Sequence, residues 1–273
     1  QDLIIRRLSN RVNLSYVQFN PEFGNIDKNL KTVSKLLYKA KPGIVVLPEL
    51  MNTGYNFISK NEVRGLSELS KTGKTSTLMS QISSDIKSTI VAGFVEKSKN
   101  HYYNSAMVVS KGKFIGVYRK THLFYNEKQL FSKGNTGFLI FNIDNFKLGV
   151  MICSDWIWPE SARTLALKGA DIIAHPANLI LKGLCQQTMP IRCFENSVFA
   201  ITANRTGIEK RGKDSFHYTG QSQIVGPNMK ILSRARSNCN SVNSVNVNLL
   251  NARNKTLFKN NDLIKDRRTK FYK

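Results

Sequence analysis

Short apolar runs alternate with segments of helical period along the first two-thirds of the chain, and that alternation limits the fold more than any other feature. Residues 12–19 alternate as a half-buried strand does, and 44–47, Ile-Val-Val-Leu, form a short, fully apolar run. Between them Leu30, Val33, Leu36 and Leu37 recur at helical spacing over 29–39. A polar helix is predicted around 76–88, followed by a strand over 89–95. Strands 105–110 and 113–118 flank Lys111-Gly112, a hairpin signal. Two more strands, 137–143 and 147–153, surround an Asp144-Asn145 turn; a helix over 159–168 and a strand over 171–176 come next. A helix near 190–197 and a strand over 198–204 precede the last strands, near 222–225, 231–233 and 242–249. No composition break, long linker, low-complexity tract or repeat interrupts this order, which points to one α/β domain of layered sheets and helices.

With 273 residues, 41% of them hydrophobic, the chain can bury a sizeable core. No apolar stretch approaches the roughly 20 residues that span a bilayer, and residues 1–8 lack a signal peptide's apolar region and cleavage pattern. The four cysteines form no CxxC pair and no metal-ligand spacing with histidine. Free thiols suit a reducing compartment, so a cytoplasmic location is expected, with no membrane partner and no metal. The net charge of +23 raises the question of nucleic acid. Yet the basic residues are spread out, the densest sets being Lys265, Arg267, Arg268, Lys270 and Lys273, and Lys210, Arg211 and Lys213 in what reads as a loop. Without an RNP-like motif, a helix-turn-helix or zinc-finger spacing, a solvated basic surface fits better than nucleic-acid binding.

The apolar run Leu148–Ile152 ends abruptly on the thiol of Cys153, and Pro159-Glu160 then opens the helical segment. A tight turn there would push the sulfur out of the sheet, and a nearby helix N-terminus would favour the thiolate. The arrangement resembles a nucleophile elbow without its glycines. A buried strand cysteine accounts for the same local pattern, since free cysteine packs well in cores. Glu49, after the run 44–47, and Lys120, after the strand ending in Val117-Tyr118, also sit at strand exits. The three groups would converge if those strands were neighbours in a sheet, because α/β sites gather at carboxyl ends of strands. Taken singly, Glu49 and Lys120 fit solvated surface residues.

Leu47-Pro48-Glu49-Leu50, Tyr118-Arg119-Lys120-Thr121-His122-Leu123 and Gly149-Val150-Met151-Ile152-Cys153-Ser154-Asp155, in that order, resemble the three signature blocks of the nitrilase, or carbon–nitrogen hydrolase, superfamily. The likeness extends to Tyr103-Asn104-Ser105-Ala106, His175-Pro176-Ala177-Asn178, Arg192…Glu195-Asn196 and residues 261–268, and runs from about Asn13 to the C-terminus. The chain is particularly similar to archaeal members that act as small aliphatic nitrilases. The resemblance implies a four-layer α-β-β-α sandwich, a single domain over 12–250 with an N-terminal extension over 1–11 and a C-terminal arm over 251–273. It implies that Cys153 attacks the carbon of a nitrile, amide or carbamoyl group to give a thioimidate or thioester. Glu49 would be the general base and Lys120 the charge facing the oxyanion or imidate nitrogen, with the backbone N–H of Ser154 as a second donor. No cofactor is implied.

Glu127 stands where many superfamily members carry a second glutamate that orients substrate and the lysine. Trp156 and Tyr55 are the candidate substrate-binding residues beside Ser154, with Trp158 and Phe57 as further pocket or core aromatics. His175 reads as a satisfied structural histidine, and His122 as shaping the loop that presents Lys120. The expected reaction releases ammonia from a small aliphatic nitrile, or alternatively from a small linear amide or N-carbamoyl amine. A homodimer or larger even assembly is expected, built on helix 159–168 and the arm, which would form the dimer contact.

Overall fold

In the computed structural model, which describes residues 10–272, the predicted alternation resolves into two large sheets, each covered on its outer side by helices. The chain runs β1 (Arg11–Gln18), α1 (Ile26–Leu37), β2 (Gly43–Val46), α2 (Lys60–Gly65), β3 (Glu68–Leu69) and α3 (Lys74–Asp85). It continues through β4 (Thr89–Ser98), β5 (His101–Ser110), β6 (Lys113–Arg119), α4 (Glu127–Leu130), β7 (Ile140–Ile143) and β8 (Phe146–Val150). After a 3-10 turn, Cys153–Ile157, come α5 (Pro159–Leu167), β9 (Ile172–Ala177), α6 (Leu184–Asn196) and β10 (Phe199–Asn204). The remainder is β11 (Ile208–Arg211), β12 (Asp214–His217), β13 (Gln223–Val225), β14 (Ile231–Arg234), β15 (Ser241–Asn248), α7 (Leu250–Arg253), β16 (Thr256–Phe258) and β17 (Asn261–Asp262). One sheet has the order β15-β1-β2-β4-β5-β6, with β3 beside β4; the other has the order β14-β13-β10-β9-β8-β7.

Side-chain alternation sorts the layers. In β2, Ile44 and Val46 join the core between the sheets, while Val45 and Leu47 pack outward with Leu30 and Val33 of α1 and Met79 and Ile82 of α3. On the second sheet, Leu165 of α5 and Met189 of α6 close the outer side. This is the expected α-β-β-α sandwich, and the periods of 2 and 3.6 made it readable.

Asn25 caps α1 by accepting from the Lys28 N–H, so the helix begins three residues before the predicted 29–39. Lys111 and Gly112 both have positive φ, as the predicted hairpin turn requires. The extension expected over 1–11 lies largely outside the described residues, and Arg11 is already paired in β1 with Asn248. Lys210, Arg211 and Lys213 do not lie in a plain loop: they belong to the β11–β12 hairpin, a separate two-stranded sheet. Its weak alternation concealed it, because only Glu209 of β11 is buried.

Strand direction gathers the ends that matter. β1, β2 and β4 run parallel, β4, β5 and β6 alternate, so β2 and β6 end on the same side. In the second sheet β8, β9 and β10 are parallel. Two glycines permit close backbone approach at these exits. A Cβ on Gly93 of β4 would lie 2.5 Å from the Cα of Glu49, and one on Gly134 would lie 2.4 Å from the Lys120 carbonyl oxygen. Gly93→Ala should therefore force the Glu49 backbone outward and destabilise the fold by about 1–3 kcal/mol. A denaturant midpoint equal to that of the unsubstituted chain would refute this.

Candidate active site

Lys120 follows β6, where its backbone N–H donates to the Asn104 carbonyl of β5 at 2.9 Å. Its ammonium group is buried and donates to Glu49 Oε1 at 2.7 Å and to Glu127 Oε1 at 2.8 Å. Asn104 Nδ2 donates to the same two oxygens, at 2.7 Å and 3.2 Å. Glu127, the first residue of α4, accepts the Phe124 N–H through its other oxygen at 2.9 Å. Glu49 Oε2 is buried and has no hydrogen-bond partner among the described residues.

Cys153 has φ of +42°, a left-handed conformation that costs a non-glycine residue of order 1 kcal/mol or more. The sharp turn expected at the strand exit is therefore real, and it is strained. Its thiol points toward the Asn178 carbonyl, 3.8 Å away, and Asn178 Nδ2 in turn donates to the Glu49 carbonyl at 2.9 Å. The residues converge, but not as neighbours in one sheet: Glu49 and Lys120 leave the first sheet, whereas Cys153 leaves β8 of the second. Convergence is a product of sheet packing.

The charges follow from burial. Burial raises Glu49 above the usual carboxylate range, with Lys120 opposing and Glu127 adding to the rise. For Lys120, burial works against the ammonium form, but Glu127 and Glu49 outweigh it and the pKa ends up raised. The thiol of Cys153 is pushed well above its ordinary value, first by burial and then by Glu49, against the pull of Lys120. This corrects the expectation of a thiolate favoured by a helix N-terminus. α5 starts only at Pro159, and a 3-10 turn lies between it and the sulfur. Burial and Glu49 thus both favour the thiol over the thiolate at Cys153.

Asp155 carries a structural role that sequence reasoning missed. It accepts from the Ile152 N–H at 2.9 Å, the Tyr118 hydroxyl at 2.7 Å, and the His122 N–H at 3.1 Å, with His122 Nδ1 at 2.7 Å. Ser154 Oγ donates to the His122 carbonyl at 2.6 Å. Together these bonds tie the Lys120 loop to the Cys153 turn, so His122 shapes that loop as expected. Asp155, Asn104 and Asn178 all lie inside the blocks that carry the family resemblance, which was the available signal.

His175 is fully buried, with Nε2 2.9 Å from the Cys153 carbonyl and Nδ1 3.1 Å from Thr202 Oγ1. Burial lowers its pKa to about 4. The neutral ring holds the backbone of the strained residue, so the structural reading stands.

A narrow cleft with a cavity volume of only about 20 Å³ leads to the sulfur. Trp156 and Ser154 line it, together with Phe124, Ile157, Leu179 and Leu181. Tyr55 is buried and does not line this cleft. Burial and then the carboxylates of Glu127 and Glu49 push its phenol well above the ordinary value. Phe57 packs instead with Phe23 and Phe131, and Trp158 stacks on His122 at 4.0 Å, so neither lines the cleft. The four cysteines are free, and no cluster of metal-ligating side chains occurs among the described residues. No helix among them is long and apolar enough to cross a membrane.

Residues 13–254 match the family model for carbon-nitrogen hydrolase. The chain belongs to this family. It is 46% identical to a nitrilase of Pyrococcus abyssi over 96% of this chain and 99% of that one. A probable nitrilase of Schizosaccharomyces pombe is 31% identical over 89% of this chain and 91% of its own length. The N-carbamoylputrescine amidase of Solanum lycopersicum is 28% identical over 77% and 78%. Among solved structures, a carbon-nitrogen hydrolase from Helicobacter pylori G27 superposes with a TM-score of 0.85 at 25% identity, covering 97% of both chains. An amidase from Nesterenkonia sp. shares the fold, with a TM-score of 0.77 at 19% identity over 96% of this chain and 95% of that one. As a member of the nitrilase superfamily, this carbon–nitrogen hydrolase acts on carbon–nitrogen bonds.

The buried histidine gives a pH signature. Its pKa is about 4 folded, against 6.5 for the ordinary group. The unfolded chain therefore binds the extra proton between those values, and stability falls as pH drops through that window. The full loss would be roughly 3 kcal/mol. Urea midpoints from pH 7 to pH 4 should show it, and His175→Gln should flatten that part of the profile; an unaltered slope would count against a neutral buried ring.

Proposed function

We propose that this hydrolase converts small aliphatic nitriles to carboxylates and ammonia, with Cys153 as nucleophile and Glu49, Lys120 and Glu127 as its partners. The observation that carries the reading is the ammonium of Lys120 held between two buried carboxylates, beside a buried thiol on a strained turn. Glu49 Oε2, the unpartnered oxygen, takes the thiol proton as sulfur bonds to the nitrile carbon. The proton passes to nitrogen, giving a thioimidate. Water, deprotonated by Glu49, adds to that carbon; the nitrogen is protonated and leaves as ammonia, and a thioester remains. A second water then releases the carboxylate and returns the proton to sulfur. Lys120, and the Ser154 N–H as second donor, face the charge that develops on nitrogen or oxygen, and Glu127 holds Lys120 in place.

Burial of the thiol and the raised Glu49 support concerted proton removal, since a free thiolate is costly there and a carboxylate with a raised pKa is the stronger base. The apolar walls supplied by Phe124, Trp156, Leu179 and Leu181 favour small tails without charge. The similarity to the Pyrococcus abyssi nitrilase favours a nitrile. Small linear amides are the second reading, favoured by the lower-identity amidase relatives, and they need the same groups with one water fewer. N-carbamoyl amines bearing a charged amine fit less well, because no charged side chain lines the cleft. Apolar side chains exposed on α5, α6 and the tail, among them Leu167, Ile191, Phe194 and Phe258, support the expected homodimer. The free cysteines support a cytoplasmic setting.

Cys153→Ala should abolish ammonia release from every compound while leaving the melting transition in place. Continued turnover would remove the triad from consideration. Lys120→Ala should lower kcat by about 10²–10³-fold. An effect confined to KM would refute its role at the reacting atoms. Ammonia release compared across butyronitrile, butyramide and N-carbamoyl butylamine separates the readings: turnover of the amide alone makes the protein an amidase.

A further inference from the structure

The β11–β12 hairpin is hydrogen-bonded to neither large sheet, yet it grips both loops that flank the carboxylates of the site. From β11, the buried Glu209 accepts through Oε2 from the backbone N–H groups of Tyr55 and Asn56, each at 3.2 Å. The same oxygen accepts from Arg205 Nη1 at 2.8 Å and the Tyr218 hydroxyl at 2.9 Å. These bonds fix the turn that brings Tyr55 from Glu49 back to the site. From β12, Asp214 accepts the Tyr125 hydroxyl and Asn126 Nδ2, both at 3.2 Å. Those two residues lead directly into Glu127. Phe216, also on β12, packs edge-on against Tyr55 and Tyr125, with ring centroids 6.0 Å and 6.1 Å apart.

The Glu127 segment needs such a hold. α4 has 4 residues, far too few to be stable by itself, and Tyr125 just before it has φ of +49°. Its N-cap residue, Asn126, makes no side-chain cap bond to α4 and spends its amide on Asp214 instead. Glu127 Oε1 must stay 2.8 Å from Lys120 Nζ, so a shift of about 1 Å would break the contact.

We propose that Asp214 is a positioning residue: it clamps Tyr125 and Asn126 to the hairpin so that Glu127 meets Lys120. The clamp rests on the role given above to Glu127. The Asp214 side chain bonds Tyr125 and Asn126, neither of which lines the cleft, and acts through Glu127. Its removal lowers the chemical rate while leaving the apolar cleft, and hence substrate affinity, nearly intact.

The test is a double-mutant cycle on the full chain. Asp214→Ala should lower kcat about tenfold, with KM changed by less than twofold and the melting transition kept. Asp214→Asn retains one acceptor oxygen and should recover most of the loss. In a Glu127→Gln background the same Asp214→Ala change should cost less than twofold. The readout is ammonia release from butyronitrile or butyramide. A parallel readout, the rate at which iodoacetamide alkylates Cys153, followed by peptide mass, needs no turnover and should show the same cycle. Unchanged rates in Asp214→Ala, or a full tenfold loss repeated in Glu127→Gln, would overturn the clamp while leaving Glu127 in its role. A fully active Glu127→Gln enzyme would mark the different failure, that of Glu127 itself, and would take the clamp with it.

Discussion

The burial of one ammonium between two carboxylates is the interaction on which the rest of the site depends. A lone Lys120 in that position would lose its charge, since stripping water from an ammonium costs several kcal/mol even after relaxation. Glu49 and Glu127 reverse the balance and keep it charged. The same three groups leave an excess of negative charge beside Cys153, which adds to the effect of burial and pushes the thiol further from ionisation. A thiol that ionises only as its proton is taken is protected from adventitious oxidation and alkylation, because the thiolate is the reactive form.

Such a cluster survives only where the backbone leaves no freedom to relax. Gly93 of β4 and Gly134 of the loop before β7 let the backbone close on the Glu49 and Lys120 exits. His175 and Asp155 brace the turn at Cys153, and Asn178 ties the second sheet to the Glu49 backbone. The strain recorded in the Cys153 φ is held by these bonds together. Each is modest, at about 1 kcal/mol, yet all of them serve buried groups that would otherwise go unsatisfied.

The cleft complements the charges by lacking any of its own. Its walls are aromatic and aliphatic, and the polar atoms are confined to the reacting end. Under the proposed function, polar recognition is spent on the reacting carbon and its nitrogen, and the tail is selected by shape and by exclusion of charge.

Much of this was legible in the sequence. Alternation in 12–19, the short apolar run 44–47, the helical spacing of Leu30 to Leu37 and the Lys111-Gly112 turn pointed to the layered α/β class, because side-chain period reports directly which faces are buried. Three ordered blocks singled out Cys153, Glu49 and Lys120 as the candidate site residues. What only the tertiary structure decided was how they meet. Glu49 and Cys153 belong to different sheets, and no local period encodes which sheets pack face to face. The ionisation of Cys153 went against the local reading, since desolvation depends on every atom that surrounds the sulfur and not on the helix that follows it. The part played by the β11–β12 hairpin is tertiary in the same way: Glu209 and Asp214 gain their partners only when folding brings Tyr55 and Asn126, more than 80 residues away, to within 3.2 Å of them.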